Sequence, residues 1–125
     1  MPVGVYQREF YAGEPAVTKN SFGAGQTYYI GSAVSAEGLQ VVFDHLCREQ
    51  NIVSPLGSRP PVGVEVMVRK GKDGTAQTYV LNHSPQTQTV ALPNRCRDLL
   101  TQKSVDGVLA LPPRGVAILV REDHF

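Results

Sequence analysis

The chain has 125 residues, enough for one domain or for a piece of one joined to a very small second. Lys and Arg number 12 against 11 Asp and Glu, so the net charge of +1 gives no field that would gather nucleic acid or anionic lipid. The longest apolar run, Gly115 to Val120, falls far short of the roughly 20 residues that cross a bilayer, and no secretory leader follows Met1.

Taken in chain order, Ala16 to Phe22 and Gln26 to Ile30 are strand-like runs. The link between them, Gly23-Ala24-Gly25, reads as a hairpin turn, because glycine reaches the positive φ that tight turns need. The period then changes. Ser35 is placed as an N-cap, Glu37 sits in the first turn, and Leu39, Val42, Phe43, Leu46 and Cys47 recur on one helical face. Gln40, Asp44, Arg48 and Gln50 occupy the other face, which predicts a surface helix docked on something apolar and ending near Asn51. Ser54 to Pro61 carries Pro and Gly without periodicity and reads as a linker.

Beyond it the pattern is β. Val64, Val66 and Val68 alternate with Glu65, Met67 and Arg69, and 70–74 is polar turn material. Gln77 to Asn82 and Thr87 to Leu92 flank a turn at Ser84-Pro85, and Val108 to Leu111 and Gly115 to Val120 close the chain. Short strands at this spacing predict a small antiparallel β-sandwich over 58–125. Residues 1–57, with one hairpin and one helix, cannot bury a helix stripe by themselves and read as the end of a larger α/β domain. The expected class is therefore an α+β fragment.

Gly23-Ala24-Gly25 precedes a strand, so it lacks the helix N-terminus that a phosphate loop requires. The carboxylates Glu9, Glu14, Glu37, Asp44, Glu49, Glu65, Asp98 and Asp106 form no visible pair of the kind a glycosidase uses and read as solvated surface charges. His45, His83 and His124 lack metal-ligand spacing, and no Ser or Cys sits in a nucleophile context. Asn82-His83-Ser84 matches a glycosylation sequon, read here as accidental. Cys47 and Cys96 have no CxxC companion and are expected as thiols in a reducing cytoplasm. With no tryptophan, a sugar platform would have to be built from Tyr6, Phe10, Tyr11, Tyr28, Tyr29 and Tyr79, and Tyr28 and Tyr29 must point to opposite sheet faces. No catalytic, cofactor-binding or metal residue is expected.

Phe10-Tyr11-Ala12-Gly13, Pro15 to Asn20, Phe22-Gly23-x-Gly25 and Tyr28-Tyr29-Ile30-Gly31 together resemble a stretch of the family 42 β-galactosidases, at the end of their trimer-forming middle domain. Gly63 to Val66, Leu81 to Ser84, Asp98 to Thr101 and Pro113-x-Gly115-Val116-Ala117 resemble that family's small C-terminal β-domain, in the same order. The resemblance implies a parent with a (β/α)₈ barrel, a flavodoxin-like trimerisation domain and a terminal sandwich. Such a parent hydrolyses terminal β-D-galactosides with retention. The two catalytic glutamates would lie upstream of Met1, so no residue here inherits their role and the chain is expected to be inactive alone. By the same resemblance Phe10 to Ile52 completes the middle domain and Val62 to Arg121 forms the sandwich. The expected partners are further copies of the chain, joined through an exposed sheet edge and helix face. Weak carbohydrate contact is an additional expectation, and nucleic acid and membrane are not. A free-standing carbohydrate-binding module is the competing reading, and an independent enzyme a third.

Overall fold

The computed structural model describes residues 1–122. It contains two compact units, one of Met1–Leu46 and one that begins at Cys47.

The first unit is a three-stranded antiparallel sheet in the order β1-β2-β3, with β1 at Pro2–Val5, β2 at Pro15–Phe22 and β3 at Gly25–Ile30. The hairpin lies where the glycines predict it. Phe22 pairs with Gly25, and Gly23 takes a φ of 56°. Strand β1 corrects the expectation of a hairpin alone. Four residues holding a Pro and a Gly show no alternation, and their pairing to β2 is bulged around Gly4. Val17 is the buried hydrophobic residue of this unit.

Helix α1 runs over Ala36–Glu49. The Ser35 hydroxyl accepts from the Gly38 amide at 3.2 Å, as an N-cap should. Bonds from its own backbone amide, and then from Ser35, hold the Glu37 carboxyl below its usual range. At the other end Asn51 turns left-handed at φ 52°. Its amide reaches Arg48 O at 3.3 Å, and the Ile52 amide reaches Cys47 O at 2.9 Å, which together make a Schellman stop. The expected apolar dock is only partial: no residue of α1 is buried, and Val42, Leu46 and Cys47 of its stripe are half-buried. Val41 is 66% and Phe43 52% exposed.

Among the described residues the second unit holds seven strands: β4 (Val64–Lys70), β5 (Ala76–Asn82), β6 (Gln88–Ala91), β7 (Cys96–Asp98), β8 (Ser104–Val105), β9 (Val108–Leu111) and β10 (Val116–Arg121). Five form an antiparallel sheet in the order β4-β5-β10-β7-β8, and β6 and β9 form a second sheet of two. The short β7 and β8 were not foreseen. Strands β5 and β6, neighbours in sequence around Ser84, lie in different sheets.

Alternation sorts the side chains. Val66, Val80 and Ala117 share one register row, and Val80, Ala117 and Leu119 are buried. They join Val90, Leu109 and Leu111 of the smaller sheet in a single core. The alternate rows, Met67-Tyr79-Ile118 and Arg69-Gln77-Val120, face the other way and stay partly or fully exposed.

Two expectations change here. Ser54 to Pro61 is more than a linker, since Leu56 within it is 6% exposed and belongs to the core. Asp98 is buried rather than solvated. Its carboxylate accepts from the Leu100 amide at 3.1 Å, the Ile118 amide at 3.2 Å and the Thr101 hydroxyl at 2.8 Å, so it ties the β7 turn to β10.

Candidate interaction surfaces

The aromatic residues near the start of the chain cluster in the loop between β1 and β2. The Tyr6 and Tyr11 rings meet edge-on at 4.8 Å, and Phe10 meets Tyr11 at 4.7 Å. The loop is ordered by its own backbone: the Tyr6 amide donates to Glu14 O at 3.0 Å and the Gly13 amide to Tyr6 O at 2.8 Å. Glu9 is held left-handed at φ 68°, and the Phe10 that follows is 97% exposed.

The remaining candidate rings do not join this cluster as one platform. Tyr28 is half-buried, with the Lys19 ammonium 5.7 Å from its ring and the His45 ring 6.4 Å away. Tyr29 is exposed, as strand alternation requires of its neighbour. Tyr79 belongs to the second unit, where its hydroxyl donates to Gln77 and Arg69 lies 5.9 Å over its ring.

The other predicted polar residues are dispersed. His83 Nε2 lies 2.8 Å from Glu65 on the exposed rim of β4 and β5. His45 sits on α1 beside Tyr28, and His124 lies outside the described residues. Among the described residues no three His, Cys, Asp or Glu side chains gather as a metal set. Neither cysteine forms a disulfide.

The sequon asparagine is a structural residue. Asn82 is 2% exposed, and its Nδ2 donates to Gln86 O at 2.8 Å, Pro112 O at 2.9 Å and Leu111 O at 3.3 Å. Its Oδ1 accepts from the Ser84 amide at 2.9 Å. A side chain so engaged stitches the β5–β6 turn to the end of β9, and its nitrogen is not open to modification.

One polar cluster was missed from sequence. Glu122 binds Arg95 at 3.0 Å and Arg97 at 3.1 Å, and accepts from the Ser104 hydroxyl at 2.8 Å. The Ser104 bond first, then that of Arg97, hold its carboxyl below the usual range. Arg97 and Glu122 edge an open groove of about 600 Å³ with Leu99 and Val120 in its lining. Arg95 and Arg97, two apart at the start of β7, were the available signal, and nothing local tied Arg97 to a carboxylate 25 residues away.

The unpartnered apolar surface is clearest on α1. Leu39 and Phe43 of its stripe are exposed and Val42, Leu46 and Cys47 are half-buried, with Val41 exposed beside them. What the site offers is therefore cover for apolar area, with no converging acid, base, nucleophile or metal set on it.

Residues 1–53 match the β-galactosidase trimerisation domain of glycoside hydrolase family 42, and residues 63–121 match the β-galactosidase C-terminal domain of the same family. β-Galactosidase BgaA of Planococcus sp. is 37% identical over 120 residues, and BglY of Alicyclobacillus acidocaldarius is 31% identical over 121. These alignments take in 95% and 96% of this chain, which spans 17% of the length of each relative. The crystal structure of β-galactosidase from Bacillus circulans sp. alkalophilus superposes with a TM-score of 0.82 at 42% identity, covering 97% of this chain and 18% of that one. A catalytic mutant of Gan42B, a GH42 β-galactosidase from G. stearothermophilus, gives 0.81 at 28% identity, over 97% and 18% of the two chains. Mostly antiparallel sheets with one helix, matched in order by two successive domains of one family, settle the kinship: the chain belongs to the glycoside hydrolase family 42 β-galactosidases and corresponds to their C-terminal part.

Proposed function

We propose that this chain is a non-catalytic, structural and assembly part of a β-galactosidase. Residues 1–57 contribute the end of a flavodoxin-like trimerisation domain, and residues 58–125 form a terminal antiparallel β-sandwich. The observation that carries this reading is α1, a well-capped amphipathic helix with no buried residue. Such a stripe is made to be covered, and the trimerisation-domain match over 1–53 gives the cover an identity: further β-galactosidase polypeptide.

The parent hydrolyses terminal β-D-galactosides with retention, which requires two carboxylates about 5 Å apart across the scissile bond. In this chain Glu65 is engaged with His83, Asp98 with backbone amides and Glu122 with two arginines. None of them is free for acid–base or nucleophilic work. The thiols of Cys47 and Cys96 suit a reducing cytoplasm.

Turnover of a nitrophenyl β-galactoside by the purified chain decides the catalytic half of the proposal. No hydrolysis above the uncatalysed rate is expected, and reproducible turnover would overturn it. Sedimentation at micromolar concentration decides the assembly half: a dimer or larger species is expected, and a clean monomer counts against it. The carbohydrate-module reading is disfavoured because the six candidate rings do not share a platform. Calorimetric titration with galactose and lactose is expected to give no millimolar binding.

A further inference from the structure

The sheet of β6 and β9 is too narrow to cover the five strands it faces, so part of the larger sheet's inner face needs other cover. Val68, Thr78 and Leu119 form one register row at that end, and Cys96 lies on the next strand. Leu56 supplies the cover. It is packed in the same core as Leu92 and Leu119, and Cys96 is packed against that core. Leu56, Leu92, Leu119 and Cys96 all border one cavity of about 250 Å³.

The segment that delivers Leu56 is a small self-closed turn. The Gly57 amide donates to Ser54 O at 2.8 Å, the Leu56 amide donates to the Ser54 hydroxyl at 3.2 Å, and Gly57 takes the left-handed φ of 74° that closes it. Both bonds are internal to the turn, and Pro55 and Gly57 on either side of Leu56 are exposed. A side chain seated in the core thus hangs on backbone that is free of the sheets' ladders. Such a segment opens locally at a lower free energy than the sheets it covers.

We propose that Ser54–Gly57 is a detachable strap: Leu56 closes the open end of the core, and lifting it exposes Cys96 without unfolding the sheets. The seated state keeps that thiol quiet in two ways. It is only partly accessible, and burial first, against the opposing charge of Arg121, holds it above its ordinary pKa, so the reactive thiolate is scarce. The device makes Cys96 a reporter of strap position, more open to thiol-reactive oxidants in the lifted state than in the seated one, where it is half-buried.

The test uses the whole chain with Cys47→Ser, which leaves Cys96 as its sole thiol. The rate at which Cys96 reacts with an aromatic disulfide reagent is followed against urea, well below the unfolding transition. A rate that hardly responds to urea is expected, as local opening exposes little surface. Leu56→Ala should raise it about tenfold or more, because a buried leucine is lost from the strap alone. Val90→Ala, which loosens the same core from the smaller sheet, should raise only the urea-sensitive component. An unchanged rate in Leu56→Ala, or a rate that tracks global unfolding in both variants, overturns the proposal. If Leu56→Ala does not fold, Ser54→Ala decides by the same readout, with an expected rise of about threefold from loss of one turn hydrogen bond.

Discussion

Met1–Leu46 and the unit beginning at Cys47 both satisfy their strands in antiparallel ladders, yet they differ in what covers those ladders. In the second unit the core holds nine buried hydrophobic residues among those described, Leu56 being one of them. In the first, Val17 is buried and the helix that might cover more has no buried residue at all. Local rules hold in both: the hairpin turn and helix cap of the first unit are as regular as the turns and alternation of the second, the bulged β1 apart. The difference is apolar cover, which correct local structure does not by itself supply.

The sharpest way to break this comparison is to remove core from the second unit. Leu119→Ala should cost about 2–5 kcal/mol in urea unfolding, whereas a substitution on the α1 stripe should leave that transition where it is. Asn82→Ala comes next, with an expected loss of about 1–3 kcal/mol in the same measurement, since one buried and two part-buried carbonyls lose their donor. The first unit should respond in association instead. Phe43→Glu places a charge on the uncovered stripe and should shift the sedimenting species toward monomer while the urea transition moves by less than about 0.5 kcal/mol. A large stability loss with unchanged association would show that the stripe is already covered within the monomer.

Much of this was legible in the sequence where one segment decides the outcome. The hairpin at Gly23, the helix from Ser35 to Asn51 and the strands β4, β5, β9 and β10 follow from periodicity and turn chemistry. What escaped was decided by distant residues. Strand β1 is short and bulged, and exists because β2 offers it an edge. Strands β7 and β8 have two or three residues each and are held by β10 and by the Asp98 carboxylate. Leu56 looked like part of a Pro-rich linker because its core lies on other strands. The uncovered apolar stripe of α1 was legible, since an amphipathic helix beside a small sheet has too little to dock on. The Glu122 cluster was not, because its partners come from Arg95, Arg97 and Ser104.

Two smaller effects sharpen the comparison further. Ser35→Ala should weaken α1 by about 1 kcal/mol, read as lost helical circular dichroism at moderate temperature, with the second unit's transition unaffected. Glu122 should give the second unit a mild dependence on acid. Its folded carboxyl is depressed below the ordinary value of 4.5, so its contribution is complete above that value and is lost as pH falls through the lower, folded one. Glu122→Gln should therefore narrow the difference in melting temperature between neutral and strongly acidic solution, and an undiminished difference would assign the acid response to other carboxylates.

The position of β10 has a consequence for how the chain comes into being. The last of the described strands in chain order is also the central strand of its sheet, seated between β5 and β7. Until it arrives, β4–β5 and β7–β8 are separate hairpins with open edges, and Asp98 lacks the Ile118 amide that it binds in the finished sheet. The second unit must therefore wait for β10 and close across a large sequence separation, which is slow compared with helix or hairpin formation. Loss of Val116–Arg121 alone would remove the keystone of a sheet whose other strands were all correctly made.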